Sequence, residues 1–382
     1  MSQIATGSIL SDFGNEEPII NQPPSDPAEI GDDVTVITDS NSDGLLLGGD
    51  GPDSIVATNR VSSFLGTDRG NFIDSGGGED TIFGGGGSDT AFAKRDDDWV
   101  DGGEGDDQLH ANRGSDTVFA GGGSDTAYGG KDDDWVDGGE SDDELHGNRG
   151  SDTVRGGGGN DTVYGGRDND LVRGEAGDDL VFGDDGFDNV RGGTGNDSIY
   201  GGGDDDLVVG EEGNDLVSGN RGNDTVLGGA GDDVVYGGKG DDLIEGGAGS
   251  DLLEGGQGSD IFRFEFFESE TFIADGTEVF GLDTLNNFVP GDSGVDTLTD
   301  FTPGEDRIQL DANSFDELIG PGGTFDPNEF TTLDEFTQNP DANLVYDSDQ
   351  GLMYYIDENN NAIQFLELDS NLDITGDDFE II

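Results

Sequence analysis

The stretch SDTAFAKRDDDWVDGGEGDDQLH (residues 88–110) returns 36 residues later as SDTAYGGKDDDWVDGGESDDELH (124–146). Inside each copy a shorter period is visible. Asp89, Asp98 and Asp107 stand nine apart, and each is followed two residues later by an apolar side chain. Extended both ways from this seed, the phase holds from Gly48 to Arg263. It gives 24 consecutive nine-residue units without insertion or deletion, from GGDGPDSIV (48–56) to GGQGSDIFR (255–263). The sixth position is Asp in 22 of the 24, the exceptions being Ser62 and Asn71, and the eighth is apolar in all of them. A fixed period of this kind is the mark of a stacked repeat architecture.

The unit GGxGxDxUx (U apolar) has a physical reading. Glycines supply positive φ, so the first six residues predict a tight turn. The last three predict a short strand, with the eighth residue inward and the seventh and ninth outward. Two units then make one turn of a flattened helix, and turns stack about 4.8 Å apart. Twelve turns give a rod roughly 55–60 Å long around a thin core of Val, Ile and Leu.

Charge supports the two-unit turn independently. Of the 14 Lys and Arg in the array, counting units from Gly48, 13 sit in even units and only Arg69 in an odd one. At the third position even units carry Arg95, Arg113, Lys131, Arg149 and Arg167. Odd units carry Glu104, Glu140 and Glu212 or small residues there. An 18-residue alternation is what a two-sided roll shows, because odd and even turns line opposite edges.

Composition alone points elsewhere. The 382 residues include 71 Gly, 88 acidic and 15 basic residues and no Cys, for a net charge of −73. Low hydrophobicity with high charge is the signature of a disordered chain, and such a chain resists compaction without counter-ions. The sustained phase confines that reading to the metal-free state. No basic excess exists to neutralise phosphates, so nucleic acid is not an expected partner. Thiolate metal sites and disulfides are excluded. No apolar run is long enough for a transmembrane segment, and MSQIATGSILSDFGNEEP at the start lacks the pattern of a Sec-type signal.

The units resemble the RTX, or hemolysin-type, calcium-binding repeat, over residues 48–263. The resemblance implies an all-β, right-handed parallel β-roll. It also implies Ca2+ ions held between successive turns of one edge, by sixth-position Asp side chains and backbone carbonyls. Carried over to this sequence, the odd-edge ligands would be Asp53, Asp89, Asp107, Asp125, Asp143, Asp161, Asp179, Asp197, Asp215, Asp233 and Asp251. The even-edge ligands would be Asp80, Asp98, Asp116, Asp134, Asp152, Asp170, Asp188, Asp206, Asp224, Asp242 and Asp260. Hard oxygen ligands suit multiple calcium ions better than zinc or copper. Units 57–65 and 66–74 read as a degenerate cap without good sites.

The even turns depart from the consensus, as in AKRDDD (93–98) and GNRGSD (147–152), with Asp at 96, 132, 168 and 204 and Asn at 112, 148 and 220. Asn tolerates positive φ. One expectation is that even-edge cations partly replace calcium by pairing with neighbouring Asp. The simpler one is that they relieve acidic repulsion.

Residues 1–47 read as a flexible acidic leader, with a possible capping strand at VTVIT (34–38). Residues 264–382 hold 13 Phe and read as a β-rich capping and secretion region. DTLTDFTPGEDRIQL (296–310) resembles the segment that follows RTX arrays. LVYDSDQGLMYYIDENNNAIQFLEL (344–368) reads as strands joined by turns, one of them Asp357–Asn361; an EF-hand fails there, because Ala362 and Leu368 stand where Gly and Glu are required. The ending DITGDDFEII resembles the uncleaved C-terminal signal of type I secretion substrates. That implies the type I secretion machinery as partner and a secreted, extracellular location, in some cases at the cell surface.

No reactive constellation supports an enzyme. His110 and His146 are repeat copies at ninth positions, no HExxH motif exists, and GDSG (291–294) reads as a turn because no His outside the array can activate Ser293. An RTX-linked hydrolase is therefore the weakest alternative. The expected function is a secreted, structural or matrix calcium-binding protein that folds on binding calcium outside the cell. The rival is an adhesin. Phe92, His110, Tyr128, His146, Tyr164, Phe182 and Tyr200 occupy successive odd ninth positions and would form a ring ladder. It is either a ligand platform for polysaccharide or a stack that stabilises the sheet. Trp99 and Trp135 on the other sheet have the same two readings, and Arg155, Arg173 and Arg191 form a stripe that could contact anionic polysaccharide.

Overall fold

A computed structural model describes residues 63–66, 68–264, 295–311, 342–356 and 362–382. It also describes the strands Val36–Thr38, Leu45–Leu47 and Ser54–Val56 and residues 318, 325–326 and 329–332. Asp53, Ser62, the GDSG stretch at 291–294 and the expected turn Asp357–Asn361 lie outside the described residues.

Two parallel sheets face each other across a core one side chain thick. Odd-unit strands such as Thr126–Tyr128 and Thr162–Arg167 build one sheet. Even-unit strands such as Trp135–Glu140 and Thr153–Gly158 build the other. Partners are 18 residues apart throughout, as in Val118↔Val136 and Val163↔Val181. The two-unit turn is therefore realised as a parallel β-roll. Eighth-position side chains fill the interior: Ile82, Val100, Val118, Val136, Val154 and Val172 from one sheet meet Leu109, Leu145, Val163 and Val181 from the other, all buried. Burying one Val or Leu is worth about 1.5–3 kcal/mol, and a unit contributes at most one such residue to the interior row, with Val209 and Leu227 as extra buried side chains outside it. The apolar core is therefore thin relative to the backbone it must order.

The ladder outruns the repeat at both ends. Val36–Thr38 pairs with Ser54–Val56, and Leu45–Leu47 pairs with Ser63–Leu65, in the same 18-residue register. The apolar strand triplets persist there, whereas Thr35 and Gly44 stand where the pattern would place Asp. At the other end Asp296–Leu298 adds to Leu252–Gln257, and Arg307–Leu310 adds to Ile261–Phe264. The strand Phe379–Ile381 then pairs with Arg307–Leu310. Leu344–Asp347, Leu352–Ile356 and Ala362–Glu367 form an antiparallel meander. Its last strand joins Asp296–Leu298 in parallel. Phe262, Phe264, Phe301, Tyr346, Phe365 and Phe379 pack together at this end. Large rings thus replace the Val row where the roll is closed.

Candidate metal centre: two rows of buried carboxylates

Each edge is a stack of six-residue turns whose second and fourth residues have positive φ. At Gly159 (φ 138°) a Cβ would collide with the Ser141 backbone one turn earlier. Glycine there is a condition of turn stacking, not only of turn conformation. Twelve residues of the array adopt positive φ without being glycine, and every one is at the second or fourth position, including Asn112, Asn148 and Asn220.

The sixth-position Asp closes each turn. From Asp80 to Asp260 all of them are buried. Oδ1 accepts a hydrogen bond from the backbone N–H of the Asp one turn earlier, at 2.7 Å for Asp107 on Asp89 and 2.8 Å for Asp152 on Asp134. Its own carbonyl accepts from the next rung, as from Gln108 N–H to Asp89 at 2.9 Å. Oδ2 is different. In twenty of these residues, ten per edge from Asp80 to Asp251, it is buried and has no hydrogen-bond donor. A buried carboxylate oxygen without a donor is strongly unfavourable.

Space is reserved beside most orphan oxygens: sixteen of the twenty units begin with Gly, the exceptions being Ser75, Ala93, Ala111 and Ala120. A Cβ on Gly165 would stand 2.7 Å from Asp170 Oδ2 and 2.8 Å from the carbonyl oxygen of Gly183 one turn on. On Gly201 it would stand 2.7 Å from Asp206 Oδ2 and 2.9 Å from the Gly219 carbonyl. On the odd edge Gly156 faces Asp161 Oδ2 and the Gly174 carbonyl in the same way. Where a unit begins with glycine, the missing Cβ therefore leaves a carboxylate and a carbonyl oxygen lining one small space. Such a donor set fits a hard divalent cation. Among the described residues no three His, Cys, Asp or Glu side chains converge, so most ligands for such an ion would be carbonyl oxygens.

The electrostatics agree. Burial, followed by like-charged carboxylates a turn away, pushes Asp98, Asp134, Asp143, Asp170, Asp206 and Asp233 up to about 8, against backbone hydrogen bonds that pull the other way. Asp89, Asp125, Asp152, Asp179 and Asp215 rise to about 6, burial again first. A row of carboxylates held too close to ionise together requires either protons or a cation.

The row ends at Asn71, whose side-chain amide donates to Asp89 Oδ1 at 3.0 Å. A donor stands there in place of an acceptor, as expected of a degenerate unit. At the other end the structure adds residues that the repeat pattern missed. Asp251 N–H donates to Asp296 Oδ1 at 3.1 Å, and Asp260 N–H to Asp306 Oδ1 at 3.0 Å. These repeat the array's bond across the intervening chain, and their signal was the triplets DTL (296–298) and DRI (306–308). A second ladder was also missed. Fifth-position side chains accept from the N–H one turn later, as Asp106 does from Ser124 (3.0 Å) and Asn160 from Asp178 (2.9 Å). The signal was plain: from residue 84 the fifth position is Asp, Asn or Ser in every unit except the one with Phe187.

The cations are not where one expectation put them. Among the described residues no Lys or Arg hydrogen-bonds an orphan Oδ2, and the even edge has as many of those oxygens as the odd edge. Lys94 pairs with Asp74, and Arg167 lies 4.0 Å from the exposed Asp185. Third-position side chains point to solvent from the rim, too far out to substitute for an ion inside the turn. Arg155, Arg173 and Arg191 are taken up by Glu175 and Glu211.

The seven rings of the odd ninth positions do meet. From Phe92 to Tyr200 successive centroids are 4.6–5.2 Å apart and the planes lie within 12° of parallel. Each inner ring has both faces against neighbours. On the other sheet Trp99 and Trp135 remain exposed, with Trp99 tilted against Phe119 at 5.0 Å.

A parallel roll with rows of reserved oxygen sites defines a calcium-binding repeat protein. The family model described as RTX calcium-binding nonapeptide repeat (4 copies) matches overlapping segments that together run from residue 65 to 262. More than half of the chain is covered, and the chain belongs to this family. Comparison with curated proteins gave no match.

Proposed function

We infer that this protein is a secreted, non-enzymatic structural protein whose roll folds when calcium enters both carboxylate rows. The ligands on the odd edge run from Asp89 to Asp251 and on the even edge from Asp80 to Asp260. The observation that carries the reading is the set of twenty unpartnered Oδ2 atoms. The thin core cannot offset so many unsatisfied charges, so the ion is part of the fold. Binding energy then becomes folding energy. Extracellular calcium modules commonly have Kd values on the order of 10⁻⁴–10⁻³ M, which leaves such a chain unfolded in the cytosol and folded outside.

RTX proteins are associated with type I secretion, and no helix of the described residues is long and apolar enough to cross a membrane. Phe379–Ile381 is the outermost strand of its sheet, and Ile382 N–H donates to the Leu310 carbonyl at 3.1 Å. Export recognition of DITGDDFEII would precede that pairing, which suits a chain that crosses the membrane unfolded.

The test is circular dichroism and small-angle scattering of the full chain in millimolar calcium and in chelator. A β-rich rod should become an expanded coil when calcium is removed. A β signal that survives chelation at neutral pH contradicts the reading.

A further inference from the structure

We propose that the odd sheet carries a binding groove for an extended, carboxylate-bearing polysaccharide, running along the roll axis between the ring stack and the row of even-unit cations. The odd strands Glu144–Arg149 and Thr162–Arg167 each hold a ninth-position ring and a third-position cation; Thr90–Phe92, Gln108–His110 and Thr126–Tyr128 end at the ring, and the cation follows three residues later in the turn. Five successive rungs have both: Phe92 with Arg95, His110 with Arg113, Tyr128 with Lys131, His146 with Arg149, and Tyr164 with Arg167. Between them, from the second rung on, lies a floor of small or amide residues, including Asn112, Gly130, Asn148 and Gly166; at the first rung Lys94 stands there, paired with Asp74. Two open depressions of about 500 and 480 Å³ follow this channel, one lined by His110, Tyr128, Lys131 and Arg149, the other by His146, Tyr164 and Arg167 and, where the cation row ends, by Asp184 and Asp185.

The cations of this row are free, as are Arg221 and Lys239 further along the same rim, whereas those of the opposite sheet are paired. Arg95, Arg113, Lys131 and Arg149 are exposed, and among the described residues their side chains have no hydrogen bond or ion pair. In a chain of net charge −73, four adjacent unpaired cations are unusual, because nearby acidic partners abound. On the opposite sheet Arg155 and Arg191 each meet a Glu at 2.8 Å. The row ends where Asp185 replaces a cation beside Phe182.

Geometry selects the ligand. The rungs advance by 4.6–4.9 Å per ring between Phe92 and Tyr164, about the advance of one 1,4-linked pyranose. A uronate chain would set its carboxylates against the cations. Its hydroxyls would meet the Tyr hydroxyls, the imidazole edges and the Asn112 and Asn148 amides. Single-stranded nucleic acid is disfavoured, because its bases need open ring faces and the inner rings cover each other's.

The proposal rests on the calcium-folded roll, so every sample is first checked for its β signal in millimolar calcium. A fluorescent oligogalacturonate, short enough to stay soluble with calcium, is titrated into the full chain. The variant Arg113→Gln/Lys131→Gln/Arg149→Gln/Arg167→Gln should fold normally and lose roughly tenfold or more in affinity. The variant Arg155→Gln/Arg173→Gln/Arg191→Gln should bind like wild type. Folded wild-type protein that does not bind the probe overturns the proposal, as does equal binding by the groove variant. Equal affinity for a neutral oligosaccharide, or tighter binding of oligothymidylate, also overturns it. Loss of the β signal in calcium would count against the folding reading instead.

Discussion

The odd and even edges of the roll hold the same carboxylates in different surroundings. On the odd edge the positive-φ positions from residue 85 onward are glycine except at Ser141, Glu175 and Glu211. On the even edge they include Lys94, Asp96, Asn112, Asp132, Asn148, Asp168, Asp184, Asp204 and Asn220, at φ between 70° and 82°. The even-unit turns also carry nine of the array's 14 cations, and the odd-unit turns only Arg69. Yet Asp170 on the even edge and Asp161 on the odd edge make the same Oδ1 bond, at 2.8 and 2.9 Å, to the N–H one turn earlier. Both leave Oδ2 unpartnered beside a first-position glycine. The proposed metal geometry therefore rests on the first and sixth residues of the unit, while the second to fourth adjust the rim.

The largest expected effect comes from removing carboxylates one edge at a time. Asp143, Asp161, Asp179 and Asp197 changed together to Asn on the odd edge should cost about 5 kcal/mol in millimolar calcium, from several lost sites at ~1.4 kcal/mol each. Asp134, Asp152, Asp170 and Asp188 on the even edge should cost the same. In chelator the sign reverses, because Asn keeps an acceptor for the N–H and removes a buried charge. Calcium-dependent thermal melts of both variants test this. An even-edge loss near zero would show that only the odd edge binds calcium.

A smaller effect concerns pH without metal. The folded carboxylates titrate at about 6 to about 8, against an ordinary value of 3.8. Between those values the folded roll holds more protons than the unfolded chain, so stability falls as pH rises. Metal-free protein should be compact near pH 4 and lose its β signal as pH passes from about 6 to about 8. The even edge has Asp132 and Asp168 among the like charges that raise its sites, and should open first. Hydrogen exchange across this range, read separately at Val154 and Val163, distinguishes the edges. Simultaneous opening would make them equivalent in this respect too.

The smallest effect is local. Asp132→Gly removes a side chain from a positive-φ position and should stabilise the calcium form by ~0.5–1 kcal/mol. The same change at Asn148 should give less, since Asn tolerates the conformation better. Chemical denaturation in calcium checks both, and a loss at Asp132 would mean that its carboxylate serves the metal row.

Much of this was legible because the repeat leaves little freedom. Asp at the sixth position and an apolar eighth residue define edge and core. The 18-residue charge alternation separates the two sheets in the sequence itself. Outside the nine-residue phase the signal was weaker for a physical reason, although the capping strand expected within VTVIT (34–38) and the segment DTLTDFTPGEDRIQL (296–310) do add to the roll. Val36–Thr38 and Asp296–Leu298 join the ladder through backbone pairing, which needs only a short strand in register and not the turn consensus. The cations were misjudged because a residue's unit and position do not reveal its depth. Third-position side chains leave the rim outward, while the first-position glycine and the Asp face each other within the turn. The ring ladder was ambiguous until its planes were known. Parallel rings 4.6 Å apart at His146 and Tyr164 stack on each other, which favours a stabilising role for their faces and leaves only their edges to a ligand.

The measurement closest to the central claim is the number of calcium ions bound by the folded wild-type chain, by equilibrium dialysis or native mass spectrometry. The twenty orphan oxygens, ten on each edge, predict a count near twenty. A count near ten would confine calcium to one edge, and a count of a few ions in a fully folded roll would contradict the account.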